Sequence, residues 1–217
     1  MTERAHKLRH ALISSLGILR LFLKLGESPM PTAKRRDARL NAERLRNAAL
    51  TTFMARGIDA PLEDVAREAG VSIGTLYNHY RNRECLLDEV LPMAAQAQWD
   101  RIRAAVAQSN GPAERFERYL VTLFDVQRTD RLLSDVLSTP VPLPDQVANS
   151  CAQVMELGAT LLTDTHEAGY HTAFASADAL TALIQANSVV HRSGAPLGWE
   201  EFLRSVATPY RRPAESA

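Results

Sequence analysis

The sequence predicts an all-α protein, and three observations carry that prediction. Hydrophobic residues make up 46% of the 217-residue chain and charged residues 23%, whereas aromatic residues make up only 6%. Alanine, leucine and arginine, all strong helix formers, are abundant. Apolar residues recur every three or four positions along several segments, and no segment shows the two-residue alternation of a strand. A chain of this length forms one large domain or two smaller ones.

Residues 1–29 require separate treatment. Residues 11–25 are fairly apolar and follow a basic start, so that they superficially resemble a signal peptide. Arg20 and Lys24 interrupt the apolar run, no small-residue cleavage site follows it, and about fifteen residues are too few to span a bilayer. We therefore expect the native chain to start at Met30, with the preceding residues an upstream extension or a disordered or loosely helical arm.

Basic residues are concentrated between residues 34 and 56, although the formal net charge of the chain is zero. This segment contains seven Lys and Arg residues against two acids, whereas acids outnumber bases by six to three between residues 61 and 90. We predict that residues 1–37 form a disordered extension and basic arm, because residues 31–39 show no apolar periodicity. A local basic arm on a neutral protein is typical of an end that faces phosphate groups, and a merely solvated arm is the alternative.

The first confident helix is predicted at residues 40–56. Leu45, Ala49 and Phe53 recur every four residues and form one apolar stripe along it. Gly57 is expected to end the helix, because glycine readily adopts the left-handed conformation common just after a helix.

Two short helices are predicted next, separated by a tight turn. The second helix begins at Pro61, since proline is well suited to the first helical position, and Gly70 ends it. Ser72 then caps a third helix that extends to about Tyr77. Together with the longer first helix, these two short helices and their tight turn predict a three-helix, helix-turn-helix domain of the homeodomain-like kind.

Longer helices are predicted in the second half of the chain. Asn82 caps a helix that reaches about residue 108, and the run NGP at residues 110–112 stops it and starts another. The proline-rich segment 138–144 is expected to be a loop, and the chain after Pro209 to be disordered. The remaining helices are predicted at residues 112–127, 130–137, 145–168, 176–193 and 199–207.

The predicted third helix has the surface that a DNA major groove requires. Val71, Leu76 and Tyr80 would anchor it to the other helices, which leaves a slim outer face with hydrogen-bond donors for phosphate oxygens. Gly74 costs about 1 kcal/mol in a helix, so its presence on an exposed face suits the close approach of another molecule. The small, hydroxylated or polar residues of this face are Ser72, Gly74, Thr75, Tyr77, Asn78 and His79.

This segment resembles the signature of the TetR family of transcription regulators. The matching runs are AGVS at residues 69–72, GTLY at 74–77, HY at 79–80 and RE at 83–84. The stretch RGIDAPLEDVA at residues 56–66 is similar to a variant seen in actinobacterial members. The resemblance extends over about residues 38 to 98, and beyond it the chain matches only in the number and length of its helices.

The resemblance implies a dimeric, ligand-responsive transcription regulator, usually a repressor, that binds palindromic operator DNA in the cytoplasm, in association with the nucleoid. It implies a DNA-binding domain at residues 38–98 and a helical ligand-binding and dimerisation domain at residues 99–210. Residues 211–217 are expected to form a disordered tail. The two recognition helices of such a dimer would enter successive major grooves roughly 34–36 Å apart.

Carried over residue by residue, the resemblance assigns roles within the helix-turn-helix from Pro61 to Tyr80 and beside it. The residues expected at or near DNA phosphates are Ser72, Thr75, Tyr77, His79 and Arg83. The residues expected to face bases are Ile73, Gly74 and Asn78, and Arg44 of the first helix is included among the DNA-binding side chains. Tyr80 departs from the usual phenylalanine, and Arg83 from the usual lysine, which keeps the charge and allows a bidentate phosphate contact.

Plainer interpretations of these residues remain open. Tyr77 could be a core aromatic residue, His79 a solvated surface histidine, and Thr75 only a hydrogen-bonding group at a helix terminus.

The second half of the chain is expected to hold a pocket for an apolar or amphipathic small molecule. Ordinary packing in a helical core is the alternative for each residue of this pocket. The helices at 145–168 and 176–193 are rich in small residues, Gly158 among them, that suit a dimer interface, and burial within the monomer is the alternative for these residues. The pocket candidates are Trp99, Phe116, Tyr119, Leu123, Phe124, Met155 and Leu161.

No motif predicts an enzyme, a metal site or a cofactor. Cys85 and Cys151 fit no zinc or redox spacing and are expected to be reduced thiols. His166 and His171 are not at the one-face spacing of metal ligands. A small-molecule-binding helical protein with a non-functional helix-turn-helix is the alternative function, and no membrane association is expected.

Overall fold

The computed structural model describes residues 32–137 and 143–211, with side chains from residue 36 onwards. These residues form helices joined by short loops, and an isolated backbone bridge is the one strand-like pairing among them. The all-α prediction is therefore confirmed. The helices are α1 (Thr32–Arg56), α2 (Leu62–Glu68), α3 (Ile73–His79), α4 (Arg83–Ala107), α5 (Pro112–Thr129), α6 (Arg131–Leu137), α7 (Asp145–Glu167), α8 (Ala177–Ser193) and α9 (Trp199–Ala207).

The chain divides into two units, residues 1–40 and 41–217. In the first unit, the described residues are helical from Thr32 onwards, so α1 begins earlier than the predicted residue 40 and includes much of the predicted basic arm. The reason is local, because alanine, lysine and arginine favour a helix even without an apolar stripe. The predictions for residues 1–29 and the start at Met30 lie outside the described residues.

The first hydrophobic core of the second unit joins α1 to α2, α3 and the first half of α4. The predicted stripe of Leu45, Ala49 and Phe53 is fully buried in it. Gly57 follows α1 with a φ of 87°, the left-handed conformation predicted for it. Helix α2 begins at Leu62, with Pro61 at the capping position.

A second core lies among α4, α5, α7, α8 and α9. Phe116 and Tyr119 of α5 are completely buried in it, and the Tyr119 hydroxyl donates a hydrogen bond of 2.9 Å to the carbonyl of Val154 in α7. Gly158 lies directly beneath the ring of Tyr119, so the absence of a side chain there lets α5 and α7 pack closely.

Helix α6 belongs to the first core although it follows α5 in the chain. Leu132 and Leu133 are buried against the residues of α1 to α4. Asp130 caps this helix, because one of its carboxylate oxygens accepts a hydrogen bond of 3.1 Å from the Leu133 amide. Helix α6 thus connects the first core to the helices that form the second core.

The chain after Pro209 was predicted to be disordered, and the structure corrects this for its first residues. Tyr210 and His171 exchange two backbone hydrogen bonds of 2.8 and 2.9 Å. The guanidinium of Arg211 lies 4.4 Å from the ring centre of Tyr170. Paired backbone and ring contacts order this stretch, and the predicted tail at residues 212–217 lies outside the described residues.

Within the described ranges, no helix is long and apolar enough to cross a membrane. The same residues contain no group of His, Cys, Asp and Glu side chains arranged to bind a metal ion. Residues 138–142 of the predicted proline-rich loop lie outside the described residues.

The packing at Gly158 gives a test of the second core. A Cβ atom added there would lie 2.5 to 2.9 Å from three atoms of the Tyr119 side chain, which is fully buried. We expect Gly158→Ala to destabilise the protein by about 1–3 kcal/mol through overpacking, with a lower Tm in a circular dichroism melt. Gly74→Ala is the matched control, since its added Cβ would meet its nearest atom at 3.8 Å. Equal Tm values for the two variants would contradict this packing.

Candidate DNA-binding site

Helices α2 and α3 form a compact helix-turn-helix. Gly70 adopts a φ of 68°, and the amide of Val71 donates to the carbonyl of Ala66 at 3.0 Å, which closes the end of α2. The hydroxyl of Ser72 accepts a hydrogen bond of 3.1 Å from the Thr75 amide and thereby caps α3. The predicted turn and cap are confirmed.

Buried residues fix the rotation of α3 about its axis. Leu76 is fully buried, Tyr80 is nearly so, and Val71 is partly buried against the first core. The Tyr80 hydroxyl hydrogen-bonds to the carboxylate of Glu89, which also accepts a hydrogen bond of 2.8 Å from Arg46. The hydrogen bond from Tyr80 lowers the pKa of Glu89. The departure from phenylalanine at Tyr80 therefore adds a polar tie between α3, α4 and α1.

The opposite side of α3 faces outward. Tyr77 is 51% exposed, which rules out the interpretation of it as a core residue. Ser72, Gly74 and Asn78 are exposed. Ile73, Thr75 and His79 are partly exposed, so the eight-residue stretch carries its small and polar groups on one accessible surface.

Arg83 makes contacts that the sequence did not indicate. Its Nη1 donates to the backbone carbonyls of Ile58 and Ala60, each at 2.7 Å, and its guanidinium lies 5.8 Å from the ring centre of Phe53. Arg83 therefore ties the start of α4 to the loop between α1 and α2. A phosphate contact by Arg83 would have to use its remaining N–H groups. Arg44 is exposed on α1, so its side chain is accessible to a phosphate.

The same loop is held from a second side by α6. The carboxylate of Asp135 accepts a hydrogen bond of 3.0 Å from the Ile58 amide. Gly57 is required beside it, since any side chain there would meet this carboxylate and would be strained by the positive φ. Sequence reasoning missed Asp135, because nothing local to residue 135 indicates a partner so far away in the chain.

A partly open cavity of about 440 Å³ lies between the helices of the bundle and is lined from α4, α5, α6, α7 and α8. Three of the predicted pocket residues, Trp99, Leu123 and Met155, line it. Phe116, Tyr119 and Leu161 lie instead in the second core, and Phe124 lines a smaller, more open pocket. The difference arises because helical spacing identifies an apolar face but not which of its residues border empty space.

Polar side chains that the sequence analysis did not single out form part of the cavity wall. Gln127 donates from Nε2 to the Ile184 carbonyl at 2.8 Å and to the Ser188 hydroxyl at 2.6 Å. Its Oε1 accepts from Asn187 at 2.7 Å, and the Asn187 oxygen accepts from the Trp199 ring nitrogen at 2.7 Å. This chain of hydrogen bonds ties α5, α8 and α9 together.

Gln98 is a second buried amide at the cavity. Its Nε2 donates a hydrogen bond of 3.0 Å to the carboxylate of Asp130, which is itself almost completely buried. Burial raises the pKa of Asp130, and the hydrogen bonds from Leu133 and Gln98 oppose that rise.

These features define a class of protein: a helix-turn-helix DNA-binding protein whose helical bundle contains an apolar cavity. Residues 45–90 match the profile of the family described as bacterial regulatory proteins, tetR family. This segment of the chain is therefore similar to the DNA-binding domain of TetR-family transcription regulators. The alternative of a binding protein with an idle helix-turn-helix is not favoured by this match.

The relatives agree with this assignment. The HTH-type transcriptional repressor KstR2 of Mycolicibacterium smegmatis is 28% identical over 100 residues, which are 46% of this chain and 46% of the relative. The chain thus spans less than half the length of the curated relatives that it matches.

Solved structures of the family share the fold. A TetR-family transcriptional regulator from Streptomyces coelicolor has a TM-score of 0.56 at 19% identity, over 77% of this chain and 92% of that chain. The transcriptional regulator FadR from Bacillus subtilis, in complex with stearoyl-CoA, has a TM-score of 0.54 at 15% identity, over 76% and 95%. Identities this low support a common fold and nothing finer.

The contacts of Arg83 predict a stabilising role. Arg83→Met removes both hydrogen bonds to the backbone carbonyls of the loop, which we expect to cost about 1–3 kcal/mol in the free energy of unfolding. Urea unfolding followed by circular dichroism measures this loss. Arg81→Met is the matched control, because Arg81 is an exposed arginine two residues away, and we expect it to change stability by less than about 0.5 kcal/mol. An equal loss in both variants would contradict the assignment.

Proposed function

We propose that this protein is a ligand-responsive repressor that binds palindromic operator DNA as a homodimer through α3. The observation that carries the proposal is the outward surface of α3, which is capped by Ser72, anchored by Leu76 and lined with exposed hydroxyl and amide groups. Such a surface suits a helix that enters the major groove. No catalytic activity forms part of the proposal, and its place of action is the cytoplasm, at the nucleoid.

The proposed contacts follow the exposed positions. Ser72, Thr75, Tyr77 and His79 would bond phosphate oxygens and set the register of the helix on the duplex. The bases would be contacted from the Ile73, Gly74 and Asn78 side of the helix. Arg44 and the remaining N–H groups of Arg83 would add charge that weakens the binding as salt is raised.

A homodimer is supported by a strip of exposed apolar residues on α8. Ala182 and Ala186 are exposed although both are apolar, and Val189 is 55% exposed one turn further on. Small apolar residues at this spacing allow two helices to approach closely about a two-fold axis. Gly158, a small residue expected to serve the same purpose on α7, is buried under Tyr119 and is left out of the proposed interface.

The response to a ligand is proposed to pass through α6. Leu133, Ser134 and Leu137 line the cavity from one side of this helix. Asp135 of the same helix holds the Ile58 amide in the loop that leads into α2. A ligand that shifts α6 would therefore alter the position of the helix-turn-helix, provided that it binds the two arrangements with different affinity.

The effector is proposed to be a small, largely apolar molecule. The walls of the cavity are mostly aliphatic and aromatic. The volume of the cavity is within the usual range for small-molecule sites. The Bacillus subtilis neighbour is in complex with stearoyl-CoA, and only the acyl chain of that ligand has the apolar character proposed here.

DNA binding by α3 is tested by fluorescence anisotropy with DNA from upstream of the protein's own gene. We expect tight binding that prefers this DNA to random DNA and that weakens at least about tenfold between 50 and 200 mM salt. Tyr77→Ala should raise the Kd by at least about tenfold while leaving the dimer folded. Tyr210→Ala is the control, because it removes a tyrosine of similar exposure, 54%, outside the helix-turn-helix. An unchanged Kd for Tyr77→Ala would count against the proposal.

The substitution Gly74→Ala is expected to change protein stability and DNA affinity in opposite directions. Alanine has room at this position and is the better helix former, so Gly74→Ala should stabilise the free protein by up to about 1 kcal/mol. The added methyl would stand on the face proposed to approach the bases, and we expect a higher Kd for the operator. A thermal melt and the same anisotropy titration measure both effects. Raised stability with unchanged affinity would place the close contact elsewhere.

A further inference from the structure

The cavity has uncharged walls. Among the described residues that line it, none carries an acidic, basic or imidazole side chain. The apolar part of the wall includes Trp99, Ile102, Leu123, Met155 and Ile184. A carboxylate or phosphate placed deep among these apolar side chains would lose its hydration without meeting a cation, which is strongly unfavourable.

The neighbouring hydrogen-bond network is already complete at Gln127. Both N–H groups of its amide have acceptors, on Ile184 and Ser188, and its oxygen accepts from Asn187. The Ser134 hydroxyl donates to the Gln127 carbonyl at 2.9 Å. These groups serve the packing of the helices and leave little for a ligand to satisfy.

Gln98 differs, because half of its amide lacks a partner. The side chain lines the cavity and is more than nine-tenths buried. Its Nε2 donates to one carboxylate oxygen of Asp130, and the other oxygen accepts from the backbone amide of Leu133. The Asp130 carboxylate therefore fixes the orientation of the Gln98 side-chain amide. The Gln98 Oε1 is left as a buried acceptor without a hydrogen bond from any described residue. An unsatisfied buried acceptor beside a cavity is costly, and a ligand donor that reaches it after a small adjustment of the Gln98 side chain would remove that cost.

We propose that the cavity selects an uncharged, mostly apolar ligand that donates one hydrogen bond, from a hydroxyl or N–H group, to Oε1 of Gln98. The inference rests on the proposed function only in that it names the effector of the same cavity. Gln98 is then the residue that determines specificity, since it accepts from an alcohol but not from the corresponding ether. Asp130 acts through Gln98 as a positioning residue.

The orientation of the Gln98 amide makes the proposal sharply testable. In Asp130→Asn, the new side-chain oxygen would keep the hydrogen bond from the Leu133 amide, which places an NH₂ group opposite Gln98. Two NH₂ groups cannot hydrogen-bond to each other, so Gln98 would turn its oxygen toward Asn and offer Nε2 to the cavity. The preference for ligand donors should then be lost in a protein of nearly unchanged shape.

The test is isothermal titration calorimetry of the protein with nine compounds, which combine three carbon skeletons with three head groups. The alcohols are 1-decanol, cyclohexylmethanol and 2-naphthylmethanol, and the probes matched to them are their methyl ethers and the carboxylates decanoate, cyclohexanecarboxylate and 2-naphthoate. For the skeleton that fits best, we expect the alcohol to bind about tenfold or more tightly than its ether, and the carboxylate not to bind. Equal affinities, a preference for carboxylates, or no binding across the panel would overturn the proposal.

The variant comparison separates recognition by Gln98 from general packing. Asp130→Asn should bring the alcohol-to-ether ratio to within about threefold of one. The matched control is Asp88→Asn, the same change at an exposed position of α4, which should keep the wild-type ratio. An unchanged ratio in Asp130→Asn, with a melt showing that it folds, would overturn the role of the Gln98 oxygen.

Failure of this inference can be told apart from failure of the proposed function. Operator binding is measured on the same preparations by anisotropy without any ligand. Intact operator binding with no head-group preference refutes only the assignment of the ligand. Head-group preference without specific DNA binding refutes the repressor and leaves the cavity assignment standing.

Discussion

The short loop between α1 and α2 is held by three hydrogen bonds on which the arrangement of the DNA-binding half depends. Arg83 at the start of α4 binds the carbonyls of Ile58 and Ala60, and Asp135 of α6 binds the Ile58 amide. These backbone groups lie in a loop that has no repeating hydrogen-bond pattern of its own, so side chains must satisfy them. The loop in turn fixes the start of α2, and α2 fixes α3 through the tight turn at Gly70.

Helix α6 is the element shared by the two halves of the described bundle. Leu132 and Leu133 are buried in the core of α1 to α4, Asp130 caps the first turn, and Ser134 lies in the cavity wall. A helix of seven residues has little stability of its own, so its position is set by these contacts. The proposed response to a ligand would need no large rearrangement, because a small shift of this short helix would reach both the cavity and the loop.

The two departures from the familiar TetR pattern have structural consequences of different kinds. The hydroxyl of Tyr80 completes a polar group with Glu89 and Arg46, whereas phenylalanine would leave that carboxylate with one partner fewer. Arg83 uses the geometry of its guanidinium to reach two carbonyls at once, which a lysine ammonium would do less rigidly. Both residues thus contribute to the packing of the helix-turn-helix, beyond the charge and bulk that the resemblance implies.

The sequence by itself determined the helices, the turn at Gly70, the caps at Ser72 and Asn82, and the buried stripe around Phe53, because these depend on residues within one or two helical turns of each other. It failed on the start of α1, where helix propensity acted without an apolar stripe. Only the tertiary structure decided which apolar residues border the cavity, that Asp135 reaches Ile58, and that Gln98 pairs with Asp130. Those contacts join residues far apart in the chain, and their geometry exists only after the helices have packed.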